Sequence, residues 1–111
     1  MINIGRSPLQ KRKMTINLEA LEIINNASEN RFETWINGLG CKLDYIEDKD
    51  SFAITHVGVH PDLRGQGIAG KLVQFAMEYA KSKSLRVIPI CSYAAAWIQK
   101  HEEYKALTAK K

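Results

Sequence analysis

Val57-Gly58-Val59-His60-Pro61-Asp62-Leu63-Arg64-Gly65-Gln66-Gly67-Ile68-Ala69-Gly70-Lys71 is the stretch on which the fold turns. It opens as a β-branched strand, breaks at Pro61, passes through a tight loop, and enters a helix whose first turn holds glycines. The leading N–H groups of a helix have no partner within it. They carry partial positive charge and can hold a phosphate. Gly65 and Gly67 have no side chains, so a pyrophosphate can approach the backbone closely.

Gly65, Gly67 and Gly70 mimic the G-x-G-x-x-G dinucleotide fingerprint. That motif should follow its strand by two or three residues. Here Pro61 and a longer loop intervene, and no second βαβ half follows. A P-loop is excluded because neither Ser nor Thr follows the lysine.

Upstream, the pattern is that of a strand meander. Ile23-Ile24 begins a short apolar run, and Asn25 to Asn30 is rich in turn residues. Arg31–Ile36 places Phe32, Thr34 and Ile36 on one face at period two. Asn37-Gly38 is a hairpin signal, since both residues tolerate positive φ. Cys41–Glu47 alternates with Cys41, Leu43 and Tyr45 on one side. Asp48-Lys49-Asp50 is a polar turn, and Ser51–Val59 reads as the third long strand. Trp35, Phe52 and Phe75 are expected in the core, with Cys41.

Downstream, Ile68, Leu72, Phe75, Ala76 and Tyr79 recur at helical spacing as far as about Ser82. Lys71, Gln74, Glu78 and Lys81 take the opposite side. Arg86–Cys91 is short and apolar, as a buried strand would be. A strand, helix, strand order implies a parallel crossover. Ser92 is expected to cap a second helix, from Tyr93 to about Lys100, with Ala94, Trp97 and Ile98 inward. The class is α+β, or mixed α/β: an antiparallel meander, one βαβ unit and a C-terminal helix. Residues 1–13 read as a loose extension, Met14–Leu21 has no clear period, and residues 14–111 form a single domain.

Composition supports an ordinary globular chain, with 45% hydrophobic and 25% charged residues. The net charge of +4 resides in the extension, where Arg6, Lys11, Arg12 and Lys13 meet no acid. From Met14 onward acids and bases balance, so a clustered basic patch for nucleic acid is not expected. Lys81, Lys83 and Arg86 read as a solvated helix end. A 111-residue domain favours an open cleft over an enclosed site. Cys41 and Cys91 and the three histidines (His56, His60, His101) lack metal-ligand spacing, so no metal is expected. His60 and His101 read as surface or structural residues. The first thirteen residues have no apolar signal-peptide core, and no apolar run approaches the roughly 20 residues of a membrane span. A cytoplasmic protein without membrane contact, monomeric or weakly homodimeric, is the expectation.

The glycine stretch resembles motif A of the GNAT acyltransferase superfamily, R/Q-x-x-G-x-G/A, with Arg64, Gly67 and Ala69 at the defined positions. The flanks agree: Val59-His60-Pro61 matches the strand ending in V-x-P, and an amphipathic helix follows. Thr55-His56, Leu63 to Ile68, Val87 to Tyr93 and His101 to Tyr104 look like the short GNAT-like proteins of about this length. The resemblance spans Ile23 to about Tyr104. Those proteins lack the N-terminal helices and C-terminal strands that build the acceptor site in larger members. This chain departs from the family at Gly58, where a glutamate often stands, and at Glu102, where a proline does.

The resemblance implies an acetyl-coenzyme A-dependent N-acetyltransferase with a small-molecule or peptide amine as acceptor, or else a noncatalytic acyl-coenzyme A-binding module. The strand before motif A is expected to splay from its neighbour. Val57, Gly58 and Val59 would then pair with the pantetheine arm, and an N–H at Val57 or Val59 would polarise the thioester carbonyl. The segment Arg64, Gly65, Gln66, Gly67, Ile68, Ala69, Gly70 and Lys71 would hold the pyrophosphate. Attack requires a deprotonated amine. No carboxylate lies between Ser51 and Pro61, which leaves His56 as a base or as an ordinary strand residue. Cys91 ends a strand just before a helix, where the dipole favours a thiolate. It would carry the acyl group, act as an acid, or only pack. Tyr93 would protonate the departing thiolate, or belong with Trp97 to the core.

Overall fold

The computed structural model describes residues 16–109, so the extension 1–13 lies outside the described residues. Five strands form one sheet in chain order: β1 (Ile24–Asn26), β2 (Arg31–Ile36), β3 (Leu39–Glu47), β4 (Ser51–Val59) and β5 (Arg86–Pro89). The first four are antiparallel neighbours, and β4–β5 is parallel. Helix α1 (Ile68–Ser82) makes the crossover, followed by α2 (Ser92–Gln99) and the short α3 (Glu102–Lys105). This is the expected meander followed by one βαβ unit. A 3-10 turn at Leu18–Ala20 precedes the sheet.

The hairpin forms as the dipeptide requires: Asn37 and Gly38 have φ of 51° and 80°, and Ile36 faces Leu39. Alternation then buries Phe32 and Thr34 on β2 and Cys41, Leu43 and Tyr45 on β3. Phe32, Tyr45 and Phe52 gather their rings there, with Tyr45 stacked on Phe52 at 4.7 Å. Helices α1, α2 and α3 pack on this face and share one core with it. Among the described residues no helix packs on the opposite face, whose charged side chains suit contact with water.

Two expected core residues lie elsewhere. Trp35 is 61% exposed, because it alternates with Thr34 and Ile36 and so stands on the opposite face. Phe75 is 40% exposed, because the buried stripe of α1 centres on Ala76 and includes Val73, Met77 and Ala80. Phe75 touches only the stripe's margin, edge-on to Phe32 at 5.2 Å. Two boundaries also differ. Strand β5 stops at Pro89 instead of Cys91, and Ser92 is the first residue of α2 instead of its cap. Cys91 holds the cap position without a side-chain hydrogen bond. Among the described residues, both cysteines are free, no cluster fit for a metal occurs, and no helix is long and apolar enough to cross a membrane.

Candidate functional site: a parted strand pair and an open helix head

Strands β4 and β5 pair only from Ser51 to Ile54. The Ile54 carbonyl accepts the N–H of Ile90 at 3.0 Å and of Cys91 at 2.9 Å, and the ladder ends there. On the other side of β4, Tyr45 faces Ile54 while Asp44 faces His56, which leaves Thr55 as one extra residue, a β-bulge. The Thr55 hydroxyl donates to the Asp44 carbonyl at 3.2 Å. Such a bulge bends and twists its strand.

The bulge also resets the alternation of β4. Phe52 and Ile54 point into the core, and so do Val57 and Val59, three and five positions beyond Ile54. His56 and Gly58 are thereby turned to the bare face. Backbone groups follow the same reset. The Tyr45 N–H donates to Asn30 on the β2 side, so alternation also turns the N–H groups of Leu43 and Cys41 that way. Their partners Val57 and Val59 therefore direct N–H and C=O away from β3, toward the edge that β5 has left. The Arg64 Nε donates to the Val59 carbonyl at 3.4 Å, which agrees with this direction.

After β4, a 3-10 turn at Pro61–Leu63 reverses the chain. The His60 Nδ1 accepts the Asp62 N–H at 3.1 Å, and fully buried Leu63 anchors the turn. Gly65 and Gly67 adopt φ of 81° and 87°, left-handed values that disfavour other residues. The first helical bond runs from the Lys71 N–H to the Gly67 carbonyl, at 3.2 Å. The N–H groups from Gly65 to Gly70 make no hydrogen bond among the described residues. Of these residues Gly65, Gly67, Ile68 and Ala69 line an open cleft of about 250 Å³, together with Val59, Leu63, Arg64 and Tyr93.

Tyr93 and Cys91 come together at the start of α2. A Cβ on Gly70 would lie 3.1 Å from the Trp97 Nε1 and 3.6 Å from the Tyr93 hydroxyl, so this glycine lets α2 cross the head of α1. Partial burial pushes the Tyr93 phenol up from its ordinary range, and the nearby Cys91 thiol adds to the effect. Tyr93 thus keeps its proton at neutral pH. Trp97 stacks on His101 at 3.7 Å, and His101 makes a ring contact with the Trp97 carbonyl at 2.7 Å, a structural use of that histidine.

The sequence-derived residues fall into two groups. Cys91, Tyr93, Val57, Val59 and the loop from Arg64 to Gly70 surround the parted strands and the cleft. His56 lies apart on the bare sheet face, with its Nε2 3.1 Å from the position of a Cβ on Gly58. Lys71 is engaged at both ends: its amide by Gly67, and its Nζ by Glu19 at 3.2 Å and Gln74 at 3.3 Å. Sequence reading missed Leu18 and Glu19. The Leu18 Cδ1 lies 3.0 Å from the position of a Cβ on Gly67, so the segment before β1 walls the loop. No local signal marks a contact across about fifty residues.

A profile of the GCN5-related N-acetyl-transferase family matches residues 31–107, from the start of β2 to the turn after α3. Among solved structures, the chain resembles a GCN5-like N-acetyltransferase candidate from Staphylococcus aureus, determined in solution by NMR. The two are 30% identical with a TM-score of 0.61, over 78% of this chain and 86% of the other.

Proposed function

Because this chain belongs to the GCN5-related N-acetyltransferase family, we propose that it transfers an acetyl group from acetyl-coenzyme A to an amine, with the diphosphate held at the head of α1. One observation carries the reading: six consecutive N–H groups, Gly65 to Gly70, have no acceptor among the described residues, and four of those residues, Gly65, Gly67, Ile68 and Ala69, line a cleft. A diphosphate supplies acceptors and negative charge where the helix presents donors and positive charge. The backbone there is accessible, since a Cβ on Gly65 would meet nothing within 4 Å.

Acetyl-coenzyme A would supply an activated thioester. The chain's own groups would do the rest. Val57 and Val59 offer N–H donors along the free edge of β4, to the pantetheine arm and to the thioester carbonyl. Tyr93 keeps its proton and suits the role of acid toward a departing thiolate. Cys91, beside it at the cap of α2, would serve as a second proton source or as an acyl carrier. Arg64 steadies the Val59 carbonyl at the junction of strand and loop.

Calorimetry with acetyl-coenzyme A tests the site. Wild-type protein should bind, and Gly67→Glu should abolish binding, because a side chain at this left-handed position would run into Leu18 and displace the loop that presents the donors. Unchanged binding by the variant would remove the site. A second reading, a noncatalytic acyl-coenzyme A-binding module, is favoured by Gly58, since β4 carries no carboxylate. Consumption of acetyl-coenzyme A with a panel of amines separates the two. Binding with no turnover supports the module.

A further inference from the structure

The chain enters its described residues at the head of α1. Leu18 meets the loop at Gly67, its Cδ1 3.0 Å from where a Cβ would stand. Glu19 meets Lys71, on the first turn of the helix, at 3.2 Å. Leu21 and Ile23 then border a groove with Gln74, Phe75 and Glu78, farther down α1. This segment therefore runs from head to tail along the helix. The chain that precedes Ile16 joins it at the end nearest the donor loop.

Charge is divided along the same line. The chain holds 16 Lys and Arg against 12 Asp and Glu. Arg6, Lys11, Arg12 and Lys13 precede every acid, so the residues from Met14 onward are balanced. Three of those four cations stand together at positions 11–13. From Lys13 to Leu18 the backbone spans no more than about 17 Å, at about 3.5 Å per residue. Lys13 is thus tethered close to the loop, and Arg12 and Lys11 follow directly.

At the loop itself the donors are mostly neutral amides. Arg64 is the one cationic side chain in the cleft's lining, and its Nε is turned to the Val59 carbonyl. The Lys71 ammonium is taken by Glu19 and Gln74. Coenzyme A carries a diphosphate and a ribose monophosphate, and the monophosphate alone bears a charge of about −1.5 to −2. Among the described residues, the cleft thus offers such a ligand directed N–H groups but little positive charge.

We infer that Lys11, Arg12 and Lys13 supply the missing charge and grip the phosphates of the bound coenzyme, with Leu18 and Glu19 anchoring the segment that delivers them. The inference rests on the acetyltransferase reading and deepens it. The loop amides fix where the diphosphate lies, and the three cations add an attraction that the balanced body of the chain lacks. They act in binding and take no part in acyl transfer.

The test is calorimetry of the full chain with acetyl-coenzyme A at two salt concentrations. The triple variant Lys11→Gln, Arg12→Gln, Lys13→Gln is compared with a control, Lys49→Gln, Lys81→Gln, Arg86→Gln. The control removes equal charge at the far ends of α1 and β4. At about 0.01 M salt, where charges act over about 30 Å, the first variant should bind about tenfold more weakly than wild type. At about 1 M salt, where the range is about 3 Å, the deficit should shrink to about twofold. The control should stay within about twofold of wild type at both. In two-dimensional NMR of wild-type protein, saturation with acetyl-coenzyme A should shift the amide signals of Lys11, Arg12 and Lys13. Wild-type affinity in the first variant at low salt, a deficit that salt leaves undiminished, an equal deficit in the control, or unmoved signals at 11–13 would each overturn the inference. Failure of wild-type protein to bind acetyl-coenzyme A at either salt concentration would instead defeat the reading beneath it.

Discussion

The indole of Trp97 lies over Gly70, with its Nε1 3.1 Å from where a Cβ would stand. That ring cannot easily yield, because its other contacts include a close stack on His101. Gly70→Ala should therefore destabilise the fold by overpacking, by about 1–3 kcal/mol. Urea unfolding measures the loss. Ala is the better helix former, so an unchanged or raised midpoint would show that α2 shifts freely over α1.

The two left-handed glycines should respond unequally to alanine. At Gly65 a Cβ meets open space, so only the backbone conformation resists, by about 1–2 kcal/mol. At Gly67 the same conformational term applies, and Leu18 stands 3.0 Å away. Gly67→Ala should cost more than Gly65→Ala, and Leu18→Ala in the Gly67→Ala background should recover part of the difference. Denaturant midpoints of the four proteins decide it.

Tyr104 ties the C-terminal part of the chain to α1 by donating to Glu78. Burial first, then the Glu78 carboxylate, pushes its phenol from the ordinary 10.0 to about 12. A raised folded-state value means the unfolded chain gives up this proton first. The stabilisation is whole below pH 10.0 and is lost as the pH climbs to about 12. Thermal unfolding should show a falling Tm across that window. In Tyr104→Phe the fall should be shallower, from a lower starting Tm.

Much of this was legible in the residues. Phe32, Thr34 and Ile36 fixed the inner face of β2, Asn37-Gly38 fixed the hairpin, and the glycines fixed the loop. Trp35 shows parity overriding size: its neighbours on both sides claim the core, so the indole stands outside. Phe75 falls at the margin because a helix stripe is broad, and five apolar residues do not locate its centre. The bulge left a trace in the spacing of Ile54 and Val57, an inward pair three apart in a strand of period two. That slip is what turns His56 to the outer face while Val57 faces the core. The contacts of Leu18 and Glu19 with α1 left no trace, since they depend on tertiary packing alone.

The donors attributed to the free edge of β4 belong to the main chain, and the gap is held by one peptide carbonyl, that of Ile54. Most residue types at positions 57 and 59 would present the same N–H groups. A ligand held there would thus be largely indifferent to side-chain drift along that strand. On the proposed function, discrimination among acceptors would fall to positions that can change without dismantling that hold, which would let one scaffold keep its donor while exchanging the molecules it modifies.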